Sequence, residues 1–103
     1  KKMAKIVAVC ACPMGLAHTF MAADSLKKAA GELGHEIKVE TQGADGVQSE
    51  LSKKDIREAD VIIHAIAITP QDMERFDEYE VHEVSLKEAI RNAKGLIEEL
   101  TKG

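Results

Sequence analysis

Residues 4–19 read AKIVAVCACPMGLAHT, and the rest of the chain is organised around them. Ala4 to Val9 is, apart from Lys5, a run of small and β-branched apolar residues, which reads as a buried strand. The run then turns at Pro13 and Gly15. Beyond it, Phe20, Ala23, Leu26, Ala30 and Leu33 recur on one helical face, and Gly34 supplies the stop. A strand, a tight loop and a helix in that order open an α/β unit.

The pattern continues along the chain. His35 to Glu40 alternates, with Ile37 and Val39 on one side, and predicts a second strand. Thr41 to Gly46 is rich in turn residues and predicts a loop. Ser52 to Glu58 predicts a short helix with Ser52 as N-cap and Asp55 in its first turn. Asp60 to Ile68 is strongly apolar and β-branched, as a strand covered on both faces should be, and Thr69-Pro70 ends it. Gln71 to Phe76 predicts a helical turn, and Glu80 to Val84 a short fourth strand. Ser85 and Glu88 have the spacing of a capping box. The apolar positions Leu86, Ala89, Ile90, Ala93, Leu96, Ile97 and Leu100 predict one amphipathic final helix.

This alternation implies an α/β fold: a small doubly wound domain with a four-stranded parallel sheet of order 2-1-3-4 and helices on both faces. The 103 residues suit a single domain, 1–103. No repeat, low-complexity tract or linker interrupts it. In such a sheet the ligand sits beyond the carboxyl ends of the strands at the switch point, where the 11–19 loop must lie.

Composition narrows the function. Aromatic residues are 3% of the chain, too few for a base-stacking platform, and a net charge of −4 with no basic stripe argues against nucleic acid. No apolar run reaches the roughly 18 residues of a membrane span, and the basic start leads into a strand too short for a signal sequence. The two cysteines, Cys10 and Cys12, cannot make a disulfide framework, which points to a reducing, cytoplasmic setting.

Three features converge on Cys12. A helix start offers free N–H groups and a positive dipole end. Gly15 lets the backbone curl so that amides point inward, as an anion nest requires. A cysteine at that position is stabilised as a thiolate by the same donors, and a thiolate beside an oxyanion cradle is a nucleophile for a phosphoryl group. The cradle residues are Pro13, Met14, Gly15, Leu16 and Ala17 through their backbone, with Pro13 only shaping the turn because it lacks an N–H. His18 could donate to a phosphoryl oxygen or simply stand at the helix start. Thr19 could bind phosphate, but capping the helix is the simpler role.

Other readings remain at this stage. Cys10 reads as a small buried hydrophobe. A metal held by both cysteines with His18 or His64 lacks the four-ligand zinc spacing, and no cofactor is implied. His64, inside the apolar third strand, reads as a hydrogen-bonded structural histidine, and Glu40 as a rim or solvent charge. Gln42 and Gly43 could border the site or only make a turn. A low-molecular-weight phosphatase or arsenate-reductase-like enzyme uses the same loop but places Arg six residues after its cysteine. Here that residue is His18, which lacks the guanidinium fork. A non-catalytic anion-binding regulatory module is the third possibility.

The run from Ala11 to Ala23, ACPMGLAHTFMAA, resembles the enzyme IIB component of fructose-type sugar phosphotransferase systems, whose pattern is ACPTGIAHT, an aromatic residue and MAA. Val39 to Gly43, VETQG, matches a second stretch of that family; Asp55-Ile56, Ala59 to Ile62 and Arg75-Phe76 match further ones. Met14 departs from the family's usual Thr and removes a hydroxyl. The resemblance implies that Cys12 takes phosphate from a phosphohistidine of enzyme IIA and passes it to a sugar bound by the membrane-embedded enzyme IIC. It also implies a chain that works at the inner face of the membrane without spanning it.

Overall fold

The computed structural model describes residues 3–12, 16–43 and 46–102, apart from the side chains of Leu16 and Ala17. The elements run β1 (Lys5–Ala11), α1 (Leu16–Glu32), β2 (Glu36–Gly43), β3 (Gly46–Gln48), α2 (Lys53–Glu58), β4 (Val61–Ile66), a 3-10 turn (Met73–Phe76), β5 (His82–Val84), α3 (Leu86–Arg91) and α4 (Ala93–Leu100). The sheet order is β3-β2-β1-β4-β5. Four strands, β2, β1, β4 and β5, are parallel in the expected 2-1-3-4 arrangement.

A fifth, three-residue strand departs from the expectation. Within the predicted loop over residues 41–46, Thr41 to Gly43 instead extend β2 and Gly46 starts β3, which pairs antiparallel with it; residues 44 and 45 lie outside the described residues. Turn-forming side chains dominate this stretch, but backbone pairing with β1 carries β2 onward: Thr41 lies opposite Cys10 and Gln42 opposite Ala11. Tertiary pairing overrides local propensity here.

Strand alternation sends the two faces to different cores. Ile6, Ala8 and Cys10 of β1 face the larger one with Val39, Val61, Ile63 and Ala65. It is closed by α1, α3 and α4. Small residues on α1 (Ala22, Ala23, Ala29 and Ala30) let that helix lie close on the sheet, with Leu26 between them. Phe20, predicted on the buried face, is 40% exposed, whereas Thr19 is buried. The inward stripe therefore runs 19, 22, 23, 26, 29, 30, one position off the predicted start.

Val7, Val9, Leu51, Ile56, Ile62 and Phe76 form the smaller second core beneath α2 and the 3-10 turn. α2 begins as expected. Ser52 Oγ accepts from Asp55 N at 3.0 Å, and Asp55 Oδ2 accepts from Ser52 N at 3.0 Å, a reciprocal cap. The second expected box is one-sided. Ser85 Oγ accepts from Glu88 N at 3.1 Å, while the Glu88 carboxylate accepts from Asn92 Nδ2 at 3.3 Å. The predicted single final helix breaks at Asn92 (φ −135°, ψ 38°) into α3 and α4. The Asn92 side chain lies where a side chain on Gly95 would stand.

Candidate functional site

β1 ends at the switch point, between β2 and β4. Cys12 follows directly and is pinned by its neighbours: its N–H donates to the Gln42 carbonyl at 3.1 Å, and the Ala67 N–H donates to the Ala11 carbonyl at 2.9 Å. Cys12 is 7% exposed, against 0% for Cys10. Cys10 is the inert hydrophobe its position implied, since burial pushes its thiol up to about 12 despite Lys27 nearby. Cys10 and His64 face opposite sides of the sheet, because Val9, not Cys10, lies opposite His64. Among the described residues there is no group of three metal-ligating side chains.

Two hollows open at Cys12. One, of about 500 Å³, is lined by His18, Met21, Ala67, Leu86, Lys87, Ile90 and Arg91. The other, of about 170 Å³, is lined by Gln42, Gly43, Ile68, Thr69 and Gln71. The first is apolar with two cations on α3; the second is mixed, with the Gln42, Thr69 and Gln71 side chains beside Ile68. Sequence reasoning missed Lys87 and Arg91, whose four-residue spacing on one helix face was the available signal.

Of the cradle residues, Pro13, Met14 and Gly15 lie outside the described residues. Leu16 and Ala17 begin α1. His18 is exposed and borders the larger hollow beside Cys12. Thr19 is 1% exposed and sits one turn inside the helix, so the expectation that it caps the helix is corrected.

The largest correction concerns Glu40. Expected at the rim, it is fully buried. Arg75 grips it through both guanidinium nitrogens, Nη1 to Oε1 at 2.8 Å and Nη2 to Oε2 at 3.0 Å. Leu51 N donates to Oε1 at 2.8 Å, and Gln42 Nε2 to Oε2 at 2.6 Å. Burial pushes the carboxyl up, but the Arg75, Leu51 and Gln42 donors outweigh it and hold the group below the usual carboxylate range. Alternation decides the placement. Val39 faces the larger core, so Glu40 must face the smaller one, abreast of Val9 and His64.

His64 is also corrected. It is fully buried, and among the described residues neither ring nitrogen has a hydrogen-bond partner. Its contact is the Phe76 ring, edge-on with centroids 4.5 Å apart. Arg75 lies over the same Phe76 ring at 5.0 Å. Burial, with the Arg75 charge nearby, lowers the imidazole to about 4.

A family model, described as the lactose/cellobiose-specific IIB subunit of PTS systems, matches residues 7–99. The chain is 58% identical over 96 residues to the "PTS system fructose-like EIIB component 1" of Escherichia coli strain K12, covering 93% of this chain and 89% of that protein. It is 51% identical over 94 residues to the "PTS system fructose-specific EIIABC component" of Bacillus subtilis, covering 91% of this chain and 15% of that protein. The solution structure of an enzyme IIB subunit of the PTS system from Escherichia coli K12 superposes with a TM-score of 0.91 at 56% identity, over 96% of this chain and 92% of that one. The chain belongs to the enzyme IIB family of sugar phosphotransferase systems, in its fructose-like branch.

Proposed function

We propose that this chain is a phosphotransferase whose phosphate carrier is Cys12. The observation that carries the proposal is the placement of Cys12. It is the first residue beyond β1 at the switch point, fixed by a backbone bond to β2 and opening on two hollows, with α1 starting four residues later. Cys12 precedes the positive end of α1, and the N–H groups of a helix start favour an oxyanion.

Transfer follows in two in-line steps. The Cys12 sulfur attacks the phosphorus of a phosphohistidine on an enzyme IIA. An S–P bond forms, the N–P bond breaks, and the imidazole keeps the electron pair. A sugar hydroxyl oxygen, on a fructose-like sugar held by the membrane enzyme IIC, then attacks the same phosphorus. An O–P bond forms, Cys12 leaves as thiolate, and the hydroxyl proton passes to solvent. The protein contributes positioning and charge stabilisation. The Bacillus relative's EIIABC name supports a partnership with A and C components. The site of action is the cytoplasmic face of the membrane. Among the described residues no helix is long and apolar enough to cross one.

Mass measurement tests this. Incubation with phosphoenolpyruvate, the general phosphotransfer proteins and an enzyme IIA is expected to add one phosphoryl group, and Cys12→Ser to abolish the adduct. An adduct that survives Cys12→Ser, or turnover of p-nitrophenyl phosphate without partners, overturns the proposal.

A further inference from the structure

Resting on the phosphocarrier reading, we propose that Gln42 is a positioning residue for transfer at Cys12, acting by clamping the 67–71 segment that walls the smaller hollow.

Gln42 ends the inward row of β2 and is 5% exposed. Its amide has one allowed orientation. Oε2 of Glu40 can only accept, so it must meet Nε2, at 2.6 Å. Oε1 is then left to accept from Gln71 N, at 2.7 Å, while Nε2 also reaches the Gln71 carbonyl at 3.3 Å. Gln71 is thus held by both backbone groups. Arg75 anchors the far end of this chain. Besides its grip on Glu40, its Nε donates to the Asp72 carbonyl at 2.9 Å. Asp72 takes the left-handed conformation (φ 57°) that turns the segment into the 3-10 turn.

The clamped segment faces Cys12. Ile68, Thr69 and Gln71 line the hollow of about 170 Å³ together with the thiol. That is several times the roughly 30 Å³ a water occupies in the liquid, which is room for a tetrahedral oxyanion. The Gln42 amide is committed to Glu40 and Gln71, so it acts on the reaction through the wall and not by touching phosphate. Displacing a reaction surround by about 1 Å can cost on the order of a hundredfold in rate, so a clamp on this wall sets kcat more than donor affinity.

The test compares Gln42→Met, which keeps side-chain length and loses all three hydrogen bonds, with Thr69→Gly at the exposed wall, and with the double variant. Transfer from a phosphorylated enzyme IIA to Cys12 is followed by rapid quench. Gln42→Met is expected to lower kcat about tenfold or more with KM changed by less than about threefold, and Thr69→Gly to lower kcat about fivefold. The double variant should lose little more than the worse single, because both act on one wall. Wild-type kcat in either single variant, or independent losses that multiply, overturns the proposal. If Gln42→Met does not fold, Gln42→Asn, one methylene shorter, replaces it with the same expected split, and wild-type kcat in that variant overturns the proposal. If the wild type takes no phosphate, the carrier reading fails while iodoacetamide alkylation of Cys12 still decides the clamp: a change of about threefold in Gln42→Met supports it, and an unchanged rate overturns it.

Discussion

His64 shows most plainly what a single residue can cost this fold. An imidazole with no partner among the described residues forfeits hydrogen bonds it had in water, and the Phe76 edge does not replace them. The cost depends on pH. Above 6.5 the imidazole is neutral in both states and its ionisation contributes nothing. Between 6.5 and about 4 the unfolded chain takes up a proton that the folded chain refuses, so stability falls with pH. Glu40 adds to this below the ordinary carboxylate range, since a group held low contributes stability that is lost as pH falls through its folded value. His64→Leu, close in volume, is expected to raise the unfolding free energy by about 1 kcal/mol at pH 7 and by about 3 kcal/mol more near pH 4. Urea denaturation at the two pH values measures both. An unchanged pH dependence in the variant would show that His64 is not the group responsible.

At the scale of elements, the caps explain why such short helices form. α2 has six residues, too few to stand alone in water. Its reciprocal Ser52–Asp55 cap satisfies two N–H groups, and Asp55 also accepts from Lys38 Nζ on β2 at 2.8 Å. Those donors lower the Asp55 carboxyl to about 2, with Lys38 the largest contributor and Ser52 next. Ser52→Ala is expected to cost about 1 kcal/mol by chemical denaturation. Because α2 roofs the smaller core through Ile56, amide exchange should quicken there before it does in α1.

For the whole molecule, the Arg75–Glu40 pair ties three parts of the chain together: β2, the 50–52 segment through the Leu51 N–H and carbonyl, and the 3-10 turn. The two cores on either side of the sheet are unequal, and the smaller one is completed by this ion pair and its Phe76 neighbour. Removing one partner strands the other as a buried charge. Arg75→Met is therefore expected to cost about 3–5 kcal/mol at pH 7. The deficit relative to wild type should shrink as pH falls toward 4, because a protonated Glu40 no longer needs its cation. Denaturation midpoints across that range check the sign. A deficit independent of pH would place the cost in lost packing alone.

The sequence by itself determined the strand and helix order, the parallel 2-1-3-4 core of the sheet and the position of Cys12 at the mouth of β1. Apolar periodicity and the Pro13 and Gly15 signals are local, and right-handed α/β winding leaves few ways to assemble them. Tertiary structure decided the rest. Glu40 looked like a rim charge because its partner, Arg75, lies 35 residues away, and nothing local foretells a guanidinium arriving over the sheet. Gln42 read equally well as a turn until pairing with Ala11 carried β2 past it. Asn92 split the last helix although the apolar spacing runs unbroken through it. In each case charge, pairing or close approach between distant segments outweighed the local pattern, and those energies exist only once the chain has closed on itself.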